Sequence, residues 1–200
     1  MKYSKQDSTD NYKKHTSRNP LQKLFIRRFL KALAKDVKVF HPKTVLDVGC
    51  GEGFTLSYLR HEDIGKKLEG IDFSEKAVEI GRRLYPYLDL KKGDIYHLPY
   101  KDDSFDMVIC TEVLEHLTYP EKALKELARV SRKYCVISVP HEPWFRVGNF
   151  LRGKNITRWG NDIEHINHWS KGGIVKLAGK YLRIRTVKTP LPWTLVVGEK

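Results

Sequence analysis

Residues 44–54 hold the densest pattern of chemically useful residues in this chain of 200. A short apolar segment that contains Asp47 runs into a loop with glycine at every second position, namely Gly49, Gly51 and Gly53, and a helix-compatible run follows. A strand, a glycine turn and a helix in this order place a ligand at the carboxyl end of the strand. Glycine lets the backbone turn sharply and lets a ligand lie directly against it. The stretch therefore predicts a cofactor-binding loop.

The spacing of these glycines separates two classes of cofactor. Dinucleotide sites use G-x-G-x-x-G, and Phe54 stands where the third glycine would allow a helix to pack closely on a strand. The spacing instead resembles the first motif of the class I S-adenosylmethionine-dependent methyltransferases, in which the loop lies against the methionine part of a cofactor without phosphates. The resemblance implies S-adenosyl-L-methionine as cofactor and S-adenosyl-L-homocysteine as product. It also implies cofactor contacts from Asp47, Gly49, Cys50, Gly51 and Gly53.

Two further stretches predict the remaining walls of a cofactor site. Asp72 follows Gly49 by 23 residues and ends the second predicted strand, where a carboxylate can accept hydrogen bonds from both ribose hydroxyls. Phe73 is its neighbour in the chain and is included in this predicted wall. Asp94 can accept a hydrogen bond from an exocyclic amine such as that of adenine, and Ile95 can cover the flat ring.

Three consecutive motifs between residues 93 and 108 sharpen the resemblance. They are Gly93-Asp94-Ile95, the loop Leu98-Pro99-Tyr100, and the D-x-S-F-D-x-V run of residues 102–108. Together they resemble the small-domain methyltransferase family that contains quinone-biosynthesis-type enzymes, over about half the chain, residues 44–140. That family implies an α/β, doubly wound, Rossmann-like fold. Its seven-stranded sheet is mostly parallel, with helices on both faces and an antiparallel edge strand.

The residues that follow the fourth predicted strand, Thr111 and Glu112, should face the sulfonium end of the cofactor. The protein must bring an acceptor to the methyl group and, for an oxygen or nitrogen acceptor, remove its proton. Imidazole titrates near neutral pH, so His116, His141 and His165 are the candidate catalytic bases.

A metal-assisted alternative uses some of the same residues. Glu112, Glu115 and His116, with a later histidine such as His165, resemble the metal-binding set of the small-RNA 3′-end ribose methyltransferases. Such a set could bind a divalent ion that lowers the pKa of a substrate hydroxyl. Because the same E-V-L-E-H run also occurs in relatives without a known metal, the sequence interpretation includes no metal.

The segments around this core differ from it in character. Residues 1–19 are predicted to be a polar, mobile arm, and residues 20–200 a single methyltransferase domain. Residues 20–40 predict a basic amphipathic helix that packs on the domain, closes over the cofactor as a lid, or contacts an anionic membrane surface. Residues 141–170 lack clean periodicity and predict a substrate-cap insertion, in which aromatic side chains alternate with cations. The apolar stripe of the helix is Leu21, Phe25, Phe29, Leu33 and Val37, and its basic stripe is Lys23, Arg27, Lys31 and Lys35.

The net charge of +13 is divided unevenly along the chain. Residues 1–42 carry +8, residues 43–140 carry −2 and residues 141–200 carry +7. Basic flanks suit an acidic substrate, nucleic acid or an anionic membrane surface, and they also suit a lysine-rich solvated surface. No apolar run approaches the roughly 18 residues of a membrane span, which favours a cytoplasmic protein. Cys50, Cys110 and Cys135 lack C-x-x-C spacing and are interpreted as buried thiols.

These patterns predict an S-adenosylmethionine-dependent methyltransferase that acts on a small-molecule or lipid-like acceptor. One alternative is an RNA methyltransferase that uses the basic flanks, for which a salt-sensitive nucleic-acid complex would be expected. A second is a non-catalytic protein that binds S-adenosylmethionine without turnover. An NAD-dependent oxidoreductase is disfavoured by Phe54.

Overall fold

A computed structural model of the protein describes residues 9–142 and 165–200. The described part contains seven strands, six α-helices and one 3₁₀ turn, Leu114–His116. The helices are α1 Asp10–Thr16, α2 Pro20–Val39, α3 Phe54–His61, α4 Glu75–Leu84, α5 Pro120–Val130 and α6 Lys171–Ala178. The strands are β1 Thr44–Val48, β2 Lys67–Asp72, β3 Asp89–Lys92, β4 Phe105–Thr111, β5 Ser131–Pro140, β6 Arg183–Lys188 and β7 Trp193–Glu199.

The strands form one seven-stranded sheet in the order β3-β2-β1-β4-β5-β7-β6. β1 pairs in parallel with both β2 and β4, which makes it the strand at which the chain order reverses. β7 pairs antiparallel with both β5 and β6. The predicted fold class is therefore confirmed, with the detail that the antiparallel strand lies one position in from the edge. Ligands of such open sheets bind beyond the carboxyl ends of the strands at the reversal point.

The central strands are buried on both faces, as their continuous apolar sequences predict. Successive side chains of β1 alternate between the faces, so that Val45 joins one core cluster and Leu46 the other. The first cluster contains apolar residues of α2, α3 and α4, and the second contains those of α5 and α6. The three cysteines lie in these cores and are buried as free thiols.

Helix α2 begins where the sequence predicts. The side chain of Asn19 accepts hydrogen bonds from the amides of Leu21 and Gln22, and Pro20 occupies the first turn. The face that packs on the domain differs from the predicted stripe at one end, because Leu21 is 47% exposed whereas Ile26 and Leu30 are buried. Positions four apart drift by about 40° per step around a 3.6-residue helix, which moves the buried face away from Leu21. The four cations of the predicted basic stripe are exposed: Lys23, Arg27, Lys31 and Lys35.

Among residues 9–142 and 165–200, we find no helix with the length and apolar character needed to cross a membrane.

Candidate active site

The glycine loop joins β1 to α3 at the centre of the sheet. Gly49, Gly51 and Gly53 have φ angles of 78°, 53° and 83°, a region that L-residues with side chains rarely adopt. A Cβ atom on Gly49 would also collide with the side chain of Val113. The amide of Gly49 donates to the carbonyl of Ile71 at 2.8 Å, which holds the loop against the end of β2. The loop thus presents bare backbone where a ligand can lie.

Asp72 braces this loop from the neighbouring strand. Its Oδ2 atom accepts a hydrogen bond from the amide of Gly51 at 2.7 Å, and Oδ1 accepts one from the amide of Ser74 at 2.8 Å. The sequence interpretation gave Asp72 a role toward ribose only, so its bond to the loop is an additional finding. A carboxylate oxygen can accept more than one hydrogen bond, which leaves acceptor capacity for a ligand.

A cavity of about 1060 Å³ opens above the loop and Asp72. Its volume slightly exceeds the usual range for small-ligand sites, about 300–1000 Å³. Of the predicted site residues, Gly53 and His141 do not line it, and the others do. The lining set is Asp47, Gly49, Cys50, Gly51, Asp72, Phe73, Asp94, Ile95, Thr111, Glu112, His116 and His165.

Asp47 lies beneath the loop and is almost fully buried, with 1% exposure. Its Oδ1 atom has no hydrogen-bond partner among the described residues. Burial, together with the nearby charge of Asp72, raises the pKa of Asp47 to about 7. Asp47 therefore exchanges its proton close to neutral pH, which is unusual for an aspartate.

Glu112 stands immediately after β4 with a φ angle of 60°, a left-handed conformation that is uncommon for non-glycine residues. Its carboxylate accepts hydrogen bonds from the indole N–H of Trp193 and, at 3.3 Å, from the hydroxyl of Ser138. The ammonium group of Lys14 lies 3.9 Å from Oε2. Burial raises the pKa of Glu112, and the positive charge of Lys14 opposes that rise. Glu112 thus joins β4, β5, β7 and α1 at one end of the cavity.

The 3₁₀ turn brings Glu115 and His116 next to His165. The rings of His116 and His165 meet edge to face, with centroids 5.0 Å apart. The amide of Ile166 donates to the carbonyl of Glu115 at 2.8 Å, and the side chain of Asn167 donates to the carbonyl of Leu117 at 2.7 Å. The turn and residues 165–167 are therefore held together by backbone-directed hydrogen bonds.

His141 is placed differently from the prediction. Its Nδ1 atom lies 2.7 Å from the hydroxyl of Thr194, within hydrogen-bonding distance, and the residue does not line the cavity. Strand β5 ends at Pro140. The amide of His141 then donates to the carbonyl of Pro192, which holds His141 beside the start of β7. His141 is therefore withdrawn as a candidate base.

Helix α1 forms a wall of the cavity that the sequence analysis missed. Residues 10–16, predicted to belong to a mobile arm, are helical, and Thr9 caps them by accepting from the amide of Tyr12. The side chains of Thr9 and Asn11 both donate to the fully buried carboxylate of Glu52 in the glycine loop. The His15 ring stacks on Phe54 with centroids 4.3 Å apart. These contacts fasten α1 over the loop.

The environment of His15 follows from this packing. Burial, assisted by the charge of Lys14, lowers the pKa of His15 to about 3, so the ring is neutral at physiological pH. A neutral imidazole stacks on Phe54 without the cost of burying a charge. The only local signal for this helix was the capping pattern that begins at Thr9.

Helix α2 and strand β7 contribute another wall of the cavity. Phe25, Ile26 and Phe29 line the cavity, and Phe29 packs on Trp193 with ring centroids 5.0 Å apart. The helix thus both packs on the domain and borders the cavity, which combines two of its predicted positions.

Trp144 and Trp159 of the predicted substrate cap, residues 141–170, lie outside the described residues.

Comparison with known proteins agrees with this geometry. A family model described as a methyltransferase domain matches residues 46–137. Demethylmenaquinone methyltransferase of Lactobacillus johnsonii is 33% identical over 161 residues, which cover 69% of this chain and 64% of that protein. Norajmaline N-methyltransferase of Rauvolfia serpentina is 34% identical over 96 residues, covering 45% of this chain and 32% of that protein. The chain thus spans less than two thirds of the length of these curated relatives.

The fold comparison extends beyond the matched segment. Magnesium protoporphyrin IX methyltransferase of Synechocystis, solved with bound S-adenosylhomocysteine, superposes with a TM-score of 0.69 at 19% identity. The superposition covers 91% of this chain and 88% of that one. At this level of identity the likeness concerns the fold, which includes the sheet order and the strand ends that carry the cavity.

Proposed function

Because the chain belongs to the class I S-adenosylmethionine-dependent methyltransferases, we propose that it transfers the methyl group of S-adenosylmethionine to a small-molecule acceptor. The observation that carries the proposal is the cradle made by the glycine loop and Asp72 beneath the cavity. The cavity above this cradle has room for the cofactor together with an acceptor.

Each part of S-adenosylmethionine has residues of the cavity that would contact it. The backbone of Gly49 and Gly51 holds the methionine part, and Asp72 accepts hydrogen bonds from the ribose hydroxyls. Asp94 and Ile95 both line the cavity, where Asp94 would accept a hydrogen bond from the adenine amine and Ile95 would cover the ring. When bound, the cofactor supplies an electrophilic methyl group on a sulfonium sulfur. The other residues assigned to the cofactor site are Asp47, Cys50, Gly53 and Phe73. Gly53 acts through the conformation of the loop. Thr111 and Glu112 border the methyl end of the cofactor.

The chain's own part in the reaction is to position the acceptor and to manage a proton. Since His116 and His165 line the cavity and contact each other, either imidazole can take the proton of an oxygen or nitrogen acceptor. Residues of helices α1 and α2 line the cavity above the cradle. Methyl transfer also requires the acceptor to lie in line with the methyl group, which a walled cavity favours.

The acceptor class rests on the relatives and on the cavity. Two of the relatives are named for quinone and alkaloid acceptors, which are small molecules, and one of those acceptors is lipid-like. The four cations of the basic stripe are exposed on α2 and do not line the cavity. RNA and anionic membrane surfaces, which such cations suit, are the competing partners to test. A small or lipid-like acceptor is the better match because the walls include Phe25, Ile26, Phe29 and Trp193.

Transfer of a radiolabelled methyl group distinguishes these acceptors. The full chain is incubated with methyl-labelled S-adenosylmethionine and, separately, with a panel of hydroquinones, phenols and amines, with structured RNA and with anionic vesicles. We expect label on a member of the small-molecule panel. Label on RNA would show that the acceptor is RNA and not a small molecule. Cofactor binding without label on any acceptor would favour a non-catalytic protein that binds S-adenosylmethionine. Heat-unfolded chain is the blank.

A further inference from the structure

We propose that Glu115, His116 and His165 bind one divalent transition-metal ion inside the cavity. Each residue offers one ligand atom, and the three atoms lie within 4.8 Å of one another. All three residues line the cavity, next to Glu112. The proposed metal site shares its cavity with the proposed function and is otherwise independent of it. Nothing in the cofactor assignment requires a metal.

The spacing of the three ligand atoms suits an ion. Bonds of about 2.0–2.2 Å from nitrogen and oxygen ligands allow two ligand atoms of one ion to lie up to about 4.2 Å apart. In a tetrahedral site the same bonds place ligand atoms about 3.4 Å apart, so a pair 4.8 Å apart closes by about 1.4 Å on binding, a movement that side-chain rotation supplies. The hydrogen bonds from Ile166 and Asn167 to the turn already hold His165 beside Glu115. A backbone tied in this way keeps the three ligands together before an ion arrives.

The carboxylate of Glu115 supplies an independent indication of a ligand. The residue is 1% exposed, and neither of its carboxylate oxygens has a hydrogen-bond partner among the described residues. A buried carboxylate without a partner is costly, and such groups in proteins take up a proton, are paired or bind metals. Such a group, aimed at two imidazoles in a cavity, has the environment of a metal ligand.

The chemistry of the set selects the kind of ion. Two imidazole nitrogens and one carboxylate suit zinc, iron(II), cobalt(II) and related ions, whereas calcium and magnesium prefer sets made of oxygen atoms. Three protein ligands leave at least one coordination position open, as in catalytic rather than structural sites. In the loaded protein, His116 and His165 act as ligands instead of proton acceptors.

Lys14 provides the competing explanation for the buried acid. Its ammonium group lies 3.9 Å from the carboxylate of Glu112, so α1 already delivers one positive charge to this end of the cavity. If Lys14 alone compensates the acidic pair, the cluster has no affinity for an ion. Metal titration of the wild type and of Lys14→Ala separates the two explanations, because removing Lys14 should strengthen binding at a true metal site.

Cobalt(II) is the probe, since its visible absorption reports the ligand set directly. Full-length chain without a histidine tag is treated with EDTA, dialysed and titrated with cobalt(II) by absorption and calorimetry. We expect one ion per chain, and at least about tenfold weaker binding in Glu115→Gln and in His165→Ala. His61→Ala is the matched control, because His61 is an exposed histidine on α3, and its binding should equal that of the wild type. Circular dichroism confirms that each variant is folded.

Three outcomes would overturn the metal site. The first is no saturable binding of cobalt(II), and the second is equal affinity for cobalt(II) in the wild type and in both ligand variants. The third is an equal loss of cobalt(II) affinity in His61→Ala and His165→Ala. If Glu115→Gln fails to fold, His165→Ala still decides, because His165 is only partly buried. Binding of S-adenosylhomocysteine is measured in EDTA on the same samples. Cofactor binding without metal binding would reject the metal site alone, and metal binding without cofactor binding would reject the proposed function alone.

Discussion

Asp72→Ala should weaken the binding of S-adenosylmethionine by about 10- to 100-fold, or about 1.4–2.8 kcal/mol. Two losses add in this variant. The ribose hydroxyls lose a charged acceptor, and the amide of Gly51 loses the carboxylate that holds it at 2.7 Å. Calorimetric titration of the wild type and the variant gives the ratio of dissociation constants.

Asp89→Ala is the matched control for this experiment. Asp89 begins the neighbouring strand β3, about half exposed, and does not line the cavity. Its replacement should leave the dissociation constant unchanged. An Asp72→Ala protein that is folded and binds the cofactor as tightly as the wild type would show that the ribose site has been assigned to the wrong residue.

Asp47 should make the stability of the free protein fall as pH rises from 4 to 8. The pKa of Asp47 is about 7 in the folded chain and 3.8 in the reference state. Below pH 3.8 both states hold the proton, and Asp47 contributes nothing to the pH dependence. Between the two values only the folded state keeps the proton, so the unfolding free energy falls by about 1.4 kcal/mol per pH unit. Above pH 7 the accumulated loss, about 4 kcal/mol, stays constant.

Asp47→Asn isolates this effect, because every other titrating group is present in both proteins. We expect urea unfolding at pH 4, 6 and 8 to give a free-energy difference between wild type and variant that moves by several kcal/mol in favour of the variant. Parallel pH profiles for the two proteins would contradict the assignment of a perturbed aspartate beneath the loop. Both proteins are measured without cofactor, which would otherwise add its own linkage.

The parts of the fold that the sequence predicted are those encoded locally. The glycine loop, the apolar strands and Asp72 all lie within short segments, and the residue types of each segment indicate a single local structure. The antiparallel strand β7 was supplied by the family resemblance, since periodicity alone does not give strand direction. The predicted lining of the cavity follows from the sheet, because strand ends that are consecutive in space converge there.

The parts that were missed depend on tertiary contacts. Residues 10–16 have few apolar side chains, and α1 is held in place by Thr9 and Asn11 on the buried carboxylate of Glu52, 41 to 43 residues away. His141 was counted as a candidate base because it is a histidine in the predicted substrate cap, but the partner of its ring is Thr194 on β7. No local pattern reveals either contact.

Calorimetric titration of the wild-type chain with S-adenosylmethionine, S-adenosylhomocysteine and NAD tests the central claim most directly. The cradle of Gly49, Gly51 and Asp72 predicts that both sulfur ligands bind with a stoichiometry of about one. Phe54, at the place of the third glycine of a dinucleotide site, predicts that NAD does not bind. Failure of both sulfur ligands to bind folded protein, or binding of NAD in their place, would contradict the assignment of the cavity to S-adenosylmethionine.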